Sequence, residues 1–220
     1  MKKGLMTVAA VAALALVAGT TGPVTAAEKT LKIELISKGE THQFWQAVKK
    51  GAEDQAKKMN AEIHFVGPAA ETMIDKQLEM LDAAIALKPD AIGYAALGTT
   101  QSLPKLKAAK AAGIPVYMFD TAASCEGGVP ALGPNSDCAL GVAYTNSTAA
   151  GALAADWMAK LVGNKGKVLV VGHSQTNQTG IDRANGFINR IKAKYKGIKL
   201  LTPQYAEGGD ALKAQEIVSA

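Results

Sequence analysis

The strongest constraint on this chain is a rhythm that begins at Leu31, where short apolar runs start to alternate with longer stretches whose apolar residues recur at helical spacing. Leu31 to Ile36, Ile63 to Val66, Ala91 to Leu97 and Ile114 to Phe119 are predicted strands. Between them, helices are predicted over Phe44 to Met59, where Val48, Ala52, Ala56 and Met59 share a face, through Ile74, Leu78, Leu81 and Ile85, and over Gln101 to Ala112. Gly67-Pro68 ends the second strand and Lys88-Pro89 stops the second helix. Strands alternating with helices of this length form βαβ units, so the expected fold class is α/β with a parallel sheet and right-handed crossovers.

The rhythm breaks over Thr121 to Gly141, a stretch rich in glycine and proline, and then resumes. Val142 to Thr145, Val168 to Val171 and Ile198 to Leu201 read as strands, with Ala149 to Leu161, Ile181 to Tyr195 and Asp210 to Val218 as helices. The break suggests two lobes, 28–143 and 144–220, with the chain crossing near Tyr144 to Ser147. Three strands leave a parallel sheet with uncovered edges, so the second lobe is expected to be incomplete and the chain a piece of a longer protein.

Met1-Lys2-Lys3, an apolar run from Leu5 to Ala18 and the small residues Val24-Thr25-Ala26-Ala27 have the layout of a cleaved signal peptide over residues 1–27. The apolar run is too short for a span, which needs about 20 residues. Cleavage removes Lys2 and Lys3 and takes the formal charge from +5 to +3. With no basic cluster behind that excess, nucleic acid is not an implied partner. Export to an oxidising compartment, the periplasm or another extracytoplasmic space, makes Cys125 and Cys138 a structural disulfide. Metal or redox chemistry is disfavoured, because there is no C-x-x-C and His42, His64 and His173 are scattered.

In a parallel sheet the carboxyl ends of the strands face the ligand. Ser37, Lys38, His42, Phe44 and Trp45 follow the first strand, and an aromatic face there can stack on the C–H surface of a sugar ring. The competing reading makes one or both rings helix-start core residues. Gly98, Thr99 and Thr100 follow the third strand, where they could equally form a helix N-cap. Asp120 closes the fourth strand, as an acceptor for two hydroxyls of one sugar or as a turn or capping residue. Arg183 stands in the first turn of a helix, where a cation opposes the dipole, so it is expected to have a partner elsewhere: a ligand, or an acid such as Asp182 or Asp210. Asn177 and His173 read first as loop-structuring residues.

With His42-Gln43-Phe44-Trp45, Phe119-Asp120 and Ile181-Asp182-Arg183-Ala184-Asn185-Gly186-Phe187, the chain resembles, from about Leu31 to Ala220, the periplasmic sugar-binding proteins of type I fold, the ribose-binding-like substrate receptors of ABC importers. The last stretch is like the family's Arg-x-x-Gly-Phe, whose Arg contacts the sugar. The resemblance spans roughly the first two thirds of a family member. It implies two Rossmann-like lobes joined by a hinge and closing on a monosaccharide or related polyol, which is handed to a membrane permease. It also implies a monomer without enzymatic activity, cofactor or metal. Carried over by position, Phe44 and Trp45 flank the sugar ring, Asp120 and Arg183 bind its oxygens, and His42 falls where ribose binders have Asn. Lys38, Thr99, Thr121 and Asn177 complete the candidate set. Thr121 stands where ribose binders carry Arg, which argues against ribose, and Gly98 where the family often has an acid. A sugar-sensing ectodomain or a ligand protein for a chemoreceptor is the alternative. An exported α/β enzyme is disfavoured, since there is no G-x-S-x-G, no phosphate-cradling G-x-x-x-x-G-K, and of the two carboxylates a glycosidase needs only Asp120 stands out.

Overall fold

Alternate residues along the strands of the first sheet serve two different cores, as the period of two requires. In the computed structural model, which describes residues 29–126, 133 and 136–220, the elements run β1 (Leu31–Ile36), α1 (Gln43–Ala56), β2 (Ala61–Val66), α2 (Ile74–Leu87), β3 (Ala91–Tyr94), α3 (Leu103–Ala111), β4 (Val116–Phe119) and β5 (Val142–Ala143). On one face Ile36, Ile92, Tyr94 and Met118 pack with Leu81 and Ala84 of α2 and Leu106 and Ala109 of α3. On the other, Leu35, Phe65, Ala95 and Phe119 pack with Trp45 and Val48 of α1. The expected signal peptide and most of the loop between the two cysteines lie outside the described residues.

All strand pairs of this sheet are parallel, in the order β2-β1-β3-β4-β5. The order reverses between β1 and β3, and the crevice at their carboxyl ends is where such sheets take ligands. Gln77 of α2 fastens that crevice. Its fully buried side chain donates to the carbonyls of Ser37 and Ala95 at 2.8 and 2.7 Å and accepts from the Tyr94 hydroxyl and the Leu97 amide at 2.8 and 2.9 Å. Four bonds satisfy a polar group that would otherwise be costly to bury. Burial pushes the Tyr94 hydroxyl up to about 12, so it stays a donor. The predicted third strand stops at Tyr94 instead of Leu97, because the amides of Ala96 and Leu97 leave the ladder for the Thr121 carbonyl and Gln77.

Val142–Ala143 also departs from expectation. It joins the first sheet beside β4 and does not open the second series. After it come α4 (Ser147–Leu161), β6 (Gly166–Val168), β7 (Val171–Gly172), α5 (Gln178–Lys194), β8 (Ile198–Leu200), β9 (Gln204–Tyr205) and α6 (Ala211–Ser219). The segments 166–172 and 198–205 pair twice in parallel, β6 with β8 and β7 with β9, and the short β9 has no counterpart in the sequence reading. From Val168↔Leu200 to Val171↔Gln204 one strand spends an extra residue, a bulge that splits the ladder. Among the described residues no helix is long and apolar enough to cross a membrane. Cys125 and Cys138 are brought together, with Cα atoms 5.9 Å apart.

Helices α4 and α5 cross at two glycines. A Cβ on Gly151 would fall on the Arg183 carbonyl, and one on Gly186 on the Thr148 carbonyl. The pair is clamped further along by Asp156, which accepts from Arg190 at 2.9 and 2.7 Å and from the Tyr195 hydroxyl at 2.6 Å. Gly186→Ala is expected to lower stability by about 1–3 kcal/mol, since backbone has to move; urea unfolding measures this. The bonds from Arg190 and Tyr195 hold the Asp156 carboxyl well below the ordinary carboxylate range. Its contribution is therefore present above the unfolded value of about 3.9 and is lost as pH falls from there towards the depressed native value. Asp156→Asn is expected to flatten the acid limb of the stability curve below about pH 4 and to leave its slope near neutrality unchanged.

Candidate functional site

The site is built around one buried ammonium. Lys38 leaves β1 at the switch point with its side chain 3% exposed. Its Nζ lies 2.7 Å from Asp120 Oδ2, 3.1 Å from Thr121 Oγ1, 3.4 Å from both Asn177 Oδ1 and Thr179 Oγ1, and 4.0 Å from Glu71 Oε2. Asp120 takes a left-handed backbone (φ 59°), a conformation that Asp tolerates better than most residues. Its amide still donates to the Ala143 carbonyl of β5, so the strand end is fixed where the chain turns.

Glu71, in the loop after β2, is the second anchor. One carboxylate oxygen accepts from Trp45 Nε1 at 2.7 Å; the other accepts from Asn177 Nδ2 at 2.8 Å and lies 3.5 Å from His173 Nε2. Asn177 caps α5, with Oδ1 receiving the Gly180 amide and the Thr179 hydroxyl. First-lobe Lys38 and Glu71 thus meet second-lobe Asn177, Thr179 and His173. His173 Nδ1 is buried without a hydrogen-bond partner among the described residues.

Between these groups is a cavity of about 220 Å3, lined by Lys38, His42, Phe44, Trp45, Glu71, Asp120, His173, Thr179, Arg183 and Gly209. Phe44 is half exposed, whereas Trp45 is buried in the α1 core and shows the cavity only a sliver of its surface. His42 also has a local task, capping α1 by accepting the Phe44 amide at Nδ1. Arg183 is exposed and makes no hydrogen bond or ion pair among the described residues. The acids considered as its partners are occupied elsewhere: Asp182 accepts from Gln178, and Asp210 caps α6. Thr121 and Asn177 touch Lys38 from behind the cavity wall. Thr99 is not among the lining residues, and its carbonyl accepts the Ser124 amide. Glu71 and Thr179 were not singled out in the sequence. Glu71 had a signal, since it follows a parallel strand as Lys38 and Asp120 do.

Residues 33–220 match the model of the periplasmic binding protein domain. The chain belongs to that family. It is similar in structure to an ABC transporter solute-binding protein from Agrobacterium vitis bound with α-D-tagatopyranose (34% identity, TM-score 0.77, 86% of this chain and 62% of that one). A second Agrobacterium vitis solute-binding protein, with bound D-fucose, is 33% identical with a TM-score of 0.70, over 80% of this chain and 58% of that one. The ABC transporter periplasmic-binding protein YphF of Escherichia coli is 25% identical over 179 residues, 81% of this chain and 53% of YphF. The chain therefore spans about half to three fifths of the length of these relatives.

In this family member the Lys38–Asp120 pair can be tested directly. Lys38→Met is expected to lower stability by about 3 kcal/mol, because it leaves the carboxylate unpaired in a confined site. Adding Asp120→Asn to it removes the stranded charge and is expected to recover part of that loss in urea unfolding.

Proposed function

We propose that this protein is the extracytoplasmic substrate-binding component of an ABC importer, capturing a monosaccharide or related polyol between its two lobes and presenting it to a membrane permease. The observation that carries this reading is the charge balance of a cavity lined from both lobes. Lys38 and Arg183 stand against Glu71 and Asp120, a lining suited to a neutral ligand dense in hydroxyls. Phe44 offers an apolar face for the C–H side of a ring. Arg183 offers a planar fork of donors with no partner among the described residues, and Asp120 and Glu71 are acceptors of charge-assisted bonds. The similar structures from Agrobacterium vitis hold tagatopyranose and fucose, molecules of this chemistry.

The ligand touches residues of both lobes only when they are closed, so its binding free energy shifts an open–closed equilibrium. No bond needs to break. Both carboxylates are engaged by Lys38 and neighbouring donors, which suits fixed acceptors better than a proton-shuttling pair. Export through residues 1–27 fits a Cys125–Cys138 disulfide, which closes a short loop and contributes on the order of 3 kcal/mol in the chain-entropy model.

The test is calorimetric titration of the full-length exported protein with pentoses, hexoses and polyols. At least one is expected to bind and to be recovered chemically unchanged. Phe44→Ala and Arg183→Ala, both exposed positions, are each expected to weaken that binding at least about tenfold, or 1.4 kcal/mol, while stability moves by no more than about 0.5 kcal/mol. Conversion of the sugar to a product, or undiminished affinity in both variants, contradicts the reading.

A further inference from the structure

Beyond the inner cavity the cleft continues into a hollow of about 610 Å3 at its mouth, and the two share His42, Glu71 and Gly209. One wall of the hollow is the first-lobe loop around Ala69 to Thr72; the other is the second-lobe turn Glu207 to Asp210. Resting on the sugar-binding reading above, we infer that the ligand is a glycoside, with one ring in the inner cavity and a second, uncharged unit in this outer hollow.

The passage between the two spaces is kept open by glycine. Gly208 and Gly209 both have left-handed backbones, φ 73° and 75°. A Cβ on Gly208 would stand 3.7 Å from Thr72 Cγ2, across the mouth, and one on Gly209 would stand 3.5 Å from His173 Nε2. Gly209 lines both spaces, and a larger side chain at Gly208 would reach the first-lobe wall across the mouth. The turn uses glycine for its left-handed backbone, and neither residue puts a side chain into the space between cavity and hollow.

The chemistry of the outer wall selects the second unit. It presents the hydroxyls of Thr41 and Thr72 and the amide of Gln43, with no lysine or arginine lining it among the described residues. Its charged groups are the carboxylates of Glu71, Glu207 and Asp210. Bonds from the Ser174 hydroxyl and the Gln175 amide hold the Glu207 carboxyl below its ordinary range, so it is ionised at neutral pH. A phosphate or carboxylate on the second unit would meet like charge without a compensating cation. Hydroxyls would meet acceptors and donors.

The experiment is calorimetry on the full-length protein with three probes built on its best-bound monosaccharide: the free sugar, disaccharides bearing it at the non-reducing or reducing end, and its 1-phosphate. At least one disaccharide is expected to bind tenfold or more tighter than the free sugar, and the 1-phosphate more weakly than that disaccharide. Thr72→Trp, an exposed change that fills the hollow from the first-lobe side, is expected to cut the disaccharide's advantage to threefold or less; Ala70→Phe does the same from a second position. Tight monosaccharide binding with every disaccharide excluded overturns the inference and leaves the sugar-binding reading standing. An unchanged disaccharide advantage in both variants also overturns it. Failure of every sugar to bind removes both readings together.

Discussion

Burying the ammonium of Lys38 at the carboxyl end of β1 is the constraint to which the rest of the site answers. A lysine 3% exposed carries a desolvation cost of several kcal/mol unless a counter-ion and further acceptors surround it. Asp120 supplies the counter-ion at 2.7 Å, and this requires the chain after β4 to turn through a left-handed residue directly beside β1's exit. That proximity depends on the strand order, in which only β3 separates β1 from β4. Gln77 in turn holds the ends of β1 and β3 by their carbonyls, so a buried helix residue behind the crevice fixes the backbone next to Lys38.

If the lobes open and close as the proposed binding reading requires, the same network sets which contacts would be exchanged. The bonds of Lys38 within the first lobe, 2.7 and 3.1 Å, are shorter than its 3.4 Å contacts to Asn177 and Thr179. On such an opening the ammonium would keep Asp120 and Thr121, which belong to its own lobe. Among the described residues the shortest crossing contact of this network is Asn177 to Glu71 at 2.8 Å, and Asn177 is also the cap of α5. Glu71 keeps Trp45 as a partner when the lobes separate, and Asn177 keeps the Gly180 amide. Each side would retain a bond of its own, so in the proposed reading the crossing contact could be exchanged for ligand hydroxyls without stranding a buried polar group.

The order of strands and helices was legible because each short apolar run is bounded by a turn residue, and Lys88-Pro89 ends α2 just where the pattern places the stop. Lys38 and Asp120 were legible as cavity-lining residues from one rule, that residues after parallel strands face the crevice; Arg183 was singled out as a cation in the first turn of a helix, but α5 begins at Gln178, three residues before the expected start at Ile181, and Arg183 stands in its second turn. Glu71 obeys the same rule and was passed over because its loop carries no aromatic or other marker. Gln77 was illegible: a polar residue on an otherwise amphipathic helix looks solvated, and only the tertiary meeting of two strand ends makes it central. Gly186 was legible as part of a motif but not in its reason. It is glycine because α4's backbone, at the Thr148 carbonyl, lies where a side chain would be. Val142 to Ala143 misled because a crossing strand looks the same in sequence whichever sheet it joins.

The aromatic pair shows why sequence adjacency overstates what two side chains can share. Successive residues on a helix point about 100° apart, so Phe44 and Trp45 at the start of α1 cannot both lie flat on one ring. The structure divides the tasks. Trp45 turns inward to the core with Phe65 and Ala95, its ring 6.2 Å from that of Phe119 at 72°, and its indole N–H fixes Glu71. Phe44 turns to the cleft, with its ring 4.8 Å from Trp45 and nearly perpendicular at 82°. Edge-to-face contacts thus run from the sheet through the indole to the exposed phenyl, in the geometry such rings prefer. Phe44 is thereby held against a rigid base, and in the proposed reading less rotamer entropy would remain to be lost on binding than for an aromatic without such backing.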